Sequence, residues 1–321
     1  MAISVNKKAY KLVQRAIEES DELAIEVEKH PSGATILDAG IQAPGGYAAG
    51  RLLTLICLGG LGDASVASMS YGDITLPTIH VETDYPAIAT LGAQFAGWRI
   101  KAGKYFAMGS GPARALSLRP KELYEKIEYR DEADQAVIVL ETDASPTSEA
   151  LEYMSDKCGV ETKNLYVVVA PSSSLTGSVQ ISGRIVETGI HKLTELGFDP
   201  KRILYGYGYA PIAPVHPKAA KAMGRTNDAL YYGGAAYLSV DYENDEELSE
   251  LVAKAPSSTA REYGKPFYNI LKDADFDFYK IDPNLFAPAL VSVNNIKTGS
   301  TYEAGSINVE VLNKTMGIKS V

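Results

Sequence analysis

Apolar residues recur at helical spacing from the start of the chain. Val5, Leu12, Val13, Ala16, Ile17, Leu23 and Ile25 stand among charges behind a capping Ser4, which predicts a helix over 4–30 stopped by Pro31-Ser32-Gly33. The pattern then shortens to a strand at 34–41 (ATILDAGI), a glycine-rich loop at 42–50 and a mostly buried helix at 51–60 (RLLTLICLGG). Segments 64–71 and 74–83 read as two extended arms turned at Gly72-Asp73. A helix over 85–98 entered at Pro86, a strand through 98–108, the loop GSGPAR at 109–114 and a charged helix at 120–130 follow.

A further strand–helix–strand set comprises 135–143 (QAVIVLETD), 145–159 and the buried strand 165–171 (LYVVVAP). It leads to a long helix at 177–198, whose Val179, Val186, Ile190, Leu193 and Leu196 face inward. A strand at 202–214, a helix at 218–234 and final strands around 276–281 (FDFYKI), 289–296 (ALVSVNNI) and 306–312 (SINVEVL) complete the chain. Strands arrive singly and in adjacent pairs between helices. The expected fold class is therefore α/β, with mixed sheets and helical layers rather than one doubly wound parallel sheet. At 321 residues two domains are expected. The hydrophilic stretch EYRDEADQ at 128–135 sets the expected boundary. It gives an N-terminal α/β domain over 1–132 and a C-terminal one over 133–321, with the last strands free to return to the first.

Charge and composition narrow the function. Lys plus Arg number 31 against 40 Asp plus Glu, a net charge of -9. Binders of nucleic acid or anionic membranes are normally basic, so neither partner is expected. No apolar run approaches the roughly 18 residues of a membrane span, and the charged N-terminus lacks a signal-peptide pattern, so a cytoplasmic location is expected. Two cysteines, Cys57 and Cys158, and four histidines, His30, His80, His191 and His216, are too few for a disulfide scaffold or a Cys-rich zinc site.

Several motifs carry candidate chemistry. GSGPAR follows a strand and begins like a dinucleotide fingerprint, but Arg114 stands where the third glycine belongs. The turn also reads as an anion-binding nest beside an arginine, or as a plain tight turn. Walker A, the His-x-x-x-His pair and the Gly-x-Ser-x-Gly elbow are missing, and Asp273, Asp275 and Asp277 lack the glycine and glutamate of a calcium loop. Arg184 and Glu187 lie three residues apart on one helix face. They read either as a solvent-facing ion pair contributing a few tenths of a kcal/mol or as part of a substrate cleft. The cleft reading comes from the small, polar, uncharged residues ahead of them: Ser174, Thr176, Ser178, Gln180 and Ser182. Arg225, Thr226, Asn227 and Asp228 precede a Tyr-Tyr-Gly-Gly turn, and Tyr205, Tyr207 and Tyr209 alternate along one strand. Such tyrosines suit either a flat heteroaromatic ligand or half-buried packing.

Five blocks in order, YFAMGSGPARAL (105–116), GSVQISGRIVETGIHKL (177–193), YAPIAPV (209–215), AMGRTNDALYYGG (222–234) and DFYKIDPNLFAPA (277–289), resemble the methenyltetrahydromethanopterin cyclohydrolases. The resemblance covers essentially the whole chain. It implies two α/β domains flanking a substrate pocket, a homotrimer, and a reaction without metal or other cofactor. That reaction is the reversible hydrolysis of the N5,N10-methenyl bridge of tetrahydromethanopterin to the N5-formyl species. The family's catalytic arginine and glutamate fall in SGRIVETG, on Arg184 and Glu187. Glu187 is then expected to be the general base that activates water, tuned by the Arg184 cation. The pterin substrate carries a phosphate and carboxylates, so an acidic chain must place cations locally. Arg114, beside Ser110 and Gly111, is the first expected anchor; Arg225, with Thr226 and Asn227, and Lys265 stand behind it. The rival expectation is a nicotinamide-dependent pterin oxidoreductase using the GSGPAR turn for phosphate.

Overall fold

The runs AVIVL (136–140) and LYVVV (165–169) are apolar at every position because both faces of these strands are covered. The structure is a computed structural model that describes residues 3–275 and 280–318. The strand expected at 276–281 falls largely outside these residues, as do Asp277 and the start of the last sequence block.

Helices α1 (Val5–Glu18) and α2 (Ser20–Leu23) precede β1 (Glu26–Lys29), β2 (Thr35–Asp38) and α3 (Tyr47–Cys57). Strands β3 (Asp63–Tyr71) and β4 (Ile74–Thr83) and a π-helical segment (Ala87–Gln94) lead to β5 (Trp98–Ala102) and β6 (Tyr105–Ser110). Next come α4 (Ala113–Ser117), α5 (Lys121–Ile127), β7 (Ala136–Glu141), α6 (Ser148–Cys158), β8 (Leu165–Val169) and α7 (Leu175–Ser182). They are followed by α8 (Ile185–Glu195), β9 (Ile203–Pro211), α9 (Ala219–Gly233), β10 (Ala235–Val240) and α10 (Asp245–Ala253). The last elements are α11 (Phe267–Asp273), β11 (Leu290–Asn295), β12 (Thr301–Gly305) and α12 (Val309–Met316).

The chain forms two units, Met1–Asp63 with Ala87–Gln180, and Ala64–Pro86 with Ile181–Val321. Each is built on a mixed six-stranded sheet, the α/β class expected from the strand pattern. The expected boundary at 132/133 falls inside the first unit. Its hydrophilic stretch is no linker: Asp131, 3% exposed, accepts hydrogen bonds from the amide and side chain of Asn6, both at 2.8 Å. Asn6 in turn accepts the Val137 amide, tying α1 to the start of β7. The final strands stay in the second unit, and it is the β3–β4 segment that leaves the N-terminal stretch.

In the first unit the sheet order is β1-β2-β8-β7-β6-β5, with β2, β8 and β7 parallel. Ile138, Leu140, Val167 and Val169 enter one core with Leu151 and Met154 of α6. Their neighbours Val137, Val139 and Val168 enter the other, against α1 and α3. In the second unit the order is β12-β11-β10-β9-β4-β3, with only β10 and β11 parallel among the pairs with a described register.

Four local expectations change. The helix expected over 4–30 ends early, because Ala24 takes a left-handed conformation and β1 pairs with β2. The helix expected over 85–98 is a π-helix over 87–94. Residues 309–316 are helical rather than extended, since Asn308 caps α12 by accepting the Val311 amide. Strands β10 and β12 and helices α10 and α11 are additional to the expected elements.

Candidate active site

The helix expected over 177–198 is interrupted at Gly183-Arg184. Helix α7 ends at Ser182, whose hydroxyl donates to the Pro211 carbonyl at 2.8 Å, and α8 starts afresh with Arg184 as its N-cap residue. Glu187 therefore lies in the first turn of α8. Helix N-termini present unsatisfied N–H groups and the positive end of the peptide dipoles, so a carboxylate there is electrostatically complemented. Arg184 and Glu187 are 8% and 6% exposed, which rules out a solvent-facing ion pair.

Glycines set α8 close against its sheet. A Cβ at Gly206 would stand 2.7 Å from Val186 Cγ1, and one at Gly208 would stand 2.8 Å from the Ala235 carbonyl oxygen and 3.0 Å from Ile185 Cγ2. From the helix side, a Cβ at Gly189 would come within 2.9 Å of Ala236 Cβ. The alternation Tyr-Gly-Tyr-Gly-Tyr in β9 thus divides by face: glycines lie under α8, tyrosines on the opposite side. Gly208→Val is expected to cost about 1–3 kcal/mol through overpacking. The melting temperature of the purified variant checks this.

Helix α9 gathers the second group of expected residues. Arg225 Nη1 donates to the carbonyls of Pro214 and Val215 at 3.2 and 3.3 Å. Thr226, 1% exposed, donates back to the Met223 carbonyl and does not present its hydroxyl outward. Asn227 donates to the same carbonyl at 2.8 Å and accepts the Tyr231 hydroxyl at 2.6 Å. The Tyr232 hydroxyl donates to the Lys265 carbonyl at 2.7 Å, so Lys265 is fastened beside α9 while its side chain is exposed. Burial, then the fields of Asp228 and Glu187, hold the Tyr231 phenol well above its usual range. The end of α9 approaches the start of α8, where a Cβ at Gly234 would stand 2.4 Å from Ile185 Cδ1.

Ser110, Gly111 and Arg114 lie in the first unit and are turned into its core. Gly111, at φ +92°, donates its amide to the Ala93 carbonyl, and the Arg114 and Ala115 amides bond back to Gly111 and Pro112. Ser110 is 2% exposed. Arg114 is fully buried, its guanidinium donating to the carbonyls of Arg119 at 2.8 Å and of Leu91 and Ala93 at 3.2 Å. The rings of Phe95 and Tyr124 lie 5.2 and 5.5 Å from it. The first expected anchor is thus a structural cation capping the π-helical segment, and the GSGPAR turn faces its own core instead of offering a phosphate nest.

A concavity of about 460 Å³ in the second unit opens on the tyrosine face, lined by Glu82, Tyr205, Tyr207, Tyr237, Ser239 and Asn294. Glu187 is not among its lining residues, since α8 covers the other face. The chemistry is therefore not assigned to this concavity. Asp228 is the residue that sequence reasoning misses beyond its place in the RTND string, although a lone carboxyl opening the uncharged run 229–240 is a signal worth reading. It is 2% exposed, and burial pushes its carboxyl up to about 8.

Arg184 and Glu187, buried at the start of α8, and the displaced Asp228 carboxyl on α9 are the candidate site of this unit. The profile of the family described as Cyclohydrolase (MCH) matches residues 4–316, and the chain belongs to that family; it is a cyclohydrolase. It is 48% identical over 319 residues to the methenyltetrahydromethanopterin cyclohydrolase of Methanococcoides burtonii, covering 99% of this chain and 100% of that one. The enzymes of that name from Methanocaldococcus jannaschii and Methanothermobacter thermautotrophicus are 49% and 48% identical. Those matches cover 98% of this chain and 98% and 100% of theirs. Among the described residues no helix is long and apolar enough to cross a membrane, and no group of three or more His, Cys, Asp or Glu is placed to hold a metal.

Proposed function

We propose that this cyclohydrolase catalyses the reversible hydrolysis of N5,N10-methenyltetrahydromethanopterin to the N5-formyl compound, with Glu187 as general base and Arg184 tuning it. The observation that carries the reading is the burial of both residues at the first turn of α8, in a chain whose relatives bear that substrate in their names.

The methenyl carbon lies between two nitrogens that share its positive charge, so it is electrophilic as bound; water is the poor reactant. Glu187 takes a proton from water as its oxygen bonds to that carbon, a contribution of typically 10²–10⁴-fold. The C–N10 bond then breaks: N10 receives the proton held by Glu187, the hydroxyl proton leaves, and the N5-formyl group remains. One water is consumed and one proton released. No step calls for a Lewis acid. For the anionic tail, Lys265 replaces Arg114 as the first anchor, because its ammonium is exposed while its backbone is held against α9, with Arg225 as the second cation on that helix.

The test is to follow loss of the methenyl absorbance on mixing substrate with enzyme in the presence of a metal chelator and without nucleotide. Turnover undiminished by the chelator is expected. Turnover that requires NADP would move the assignment to the oxidoreductase, and none under either condition would reject the substrate.

A further inference from the structure

Asp228 does no work in this hydrolysis, yet it is enclosed in the same helix cluster. Its one hydrogen bond among the described residues accepts the Phe267 amide at 2.8 Å. Phe267 opens α11, whose N-cap position is Pro266 and which has no side-chain cap of its own. Asp228 thus caps α11 from α9. The Phe267 ring stands edge-on to Tyr231 at 5.7 Å, with Phe286 at 5.9 Å from the same tyrosine, and Ser257 donates to the Tyr231 carbonyl at 2.5 Å. A chain of contacts therefore runs from Asp228 through Phe267 to Tyr231, and the end of α9 closes on the first turn of α8, since a Cβ at Gly234 would stand 2.8 Å from the Leu230 carbonyl oxygen and 2.4 Å from Ile185 Cδ1.

Among the described residues no cationic side chain pairs with Asp228: Arg225, one turn earlier on α9, is held by the Pro214 and Val215 carbonyls, Lys265 is exposed, and only the Phe267 amide at the start of α11 bonds it. Tyr231 and Tyr232 share its helix, with Tyr263 packed on Tyr232 at 5.3 Å, and the Glu187 carboxyl of α8 adds to the rise of the Tyr231 phenol after burial and Asp228. Lys272 and Asp273 of α11 and Glu310 and Lys314 of α12 are exposed, the last two paired with each other. An enclosed carboxylate without a cation is strongly disfavoured, so the neutral acid is the form this fold accommodates.

We propose that Asp228 is a positioning residue for the reaction: as a neutral acid it locks α11 to α9 and fixes the Tyr231 wall beside Glu187, and its ionisation loosens that wall. The inference rests on the reading of Glu187 as base. Burial that pushes the carboxyl up to about 8 supports it. From the usual carboxylate range up to about 8 the folded chain holds a proton that the unfolded chain has lost. Asp228 therefore makes stability fall as pH rises through that window and level off above it.

The experiment compares wild type and Asp228→Asn in melting and in kcat from about pH 6 to about pH 9.5. Wild-type kcat should fall about tenfold above pH 8 with KM little changed, and its melting temperature should decline towards pH 8. Asp228→Asn, which keeps an acceptor for the Phe267 amide and cannot ionise, should keep both nearly level. An alkaline fall that persists unchanged in Asp228→Asn overturns the proposal. The melts are repeated in Glu187→Gln, where no turnover is needed, so failure of the base assignment is read separately from failure of this one. If Asp228→Asn does not fold, infrared spectra of wild type decide: a protonated-carboxyl band at pH 7 that titrates near 8 supports the proposal, and its absence at pH 7 overturns it.

Discussion

Glu187→Gln is expected to lower kcat by about 10²–10⁴-fold while KM stays within a few-fold of wild type. Glutamine has the size of glutamate and α8 has no side-chain cap to lose, so the helix should start where it does now. It cannot accept a proton, and that is the change the chemistry registers. A loss in kcat without a loss in binding marks a group that acts in the transition state and contributes little to holding substrate. Substrate binding by the inactive variant, measured by quenching of protein fluorescence, should survive. Near-normal turnover would remove Glu187 as base, and the buried carboxyl of Asp228 would be the next residue to test. A loss confined to KM would instead make Glu187 a binding residue for the cationic bridge.

Strand runs such as AVIVL and LYVVV were legible in the sequence because burial on both faces leaves an uninterrupted apolar signal. The turn at Gly72-Asp73 was legible too, but a turn signal reports only a local pair. Nothing in it says that β4 will join β9, far along the chain. The break before α8 was hidden for a related reason. Gly183 alone is compatible with a continuing helix, and the bond from Ser182 to Pro211 that ends α7 depends on a strand some thirty positions later. Glu187 could be placed on a helix from the sequence, but not at a helix start, which is what gives its carboxylate a favourable field. The alternation of Tyr and Gly in β9 was visible, and the informative half was the glycines: they admit α8, while the tyrosines face away from Glu187. Asp131 shows how charge misleads in the other direction. It sits in the most hydrophilic stretch of the chain, yet it is buried and bonded to Asn6.

Arg114 is the strongest case of that kind, and Arg114→Ala should unfold the first unit more readily rather than weaken substrate binding alone. An arginine after a glycine turn looks like an anchor for an anion until the residues that enclose it are known, and Leu91, Ala93, Phe95 and Tyr124 come from other segments. Its guanidinium satisfies three carbonyls, and the Tyr124 hydroxyl satisfies a fourth, that of Gly92 at 2.8 Å, in the same π-helical segment. Removing it takes the donor from the Leu91 and Arg119 carbonyls at about 1–3 kcal/mol each, while the Ala93 carbonyl keeps the Gly111 amide, and it also gives up the aromatic contacts at roughly 0.5–2 kcal/mol each. A total of at least about 3 kcal/mol is a large part of the 5–15 kcal/mol typical of a folded domain. It corresponds to a fall of roughly 10 °C in melting temperature. Arg114→Lys keeps the charge but lacks the planar fork that reaches several carbonyls together, so it should recover only part of the loss. Lys265→Ala is the contrasting variant: an exposed ammonium contributes little to stability, so its effect should appear in KM at an unchanged melting temperature. The reverse pattern, with Arg114→Ala melting like wild type and failing only in KM, would return Arg114 to the substrate's tail and leave the π-helical segment without its cap.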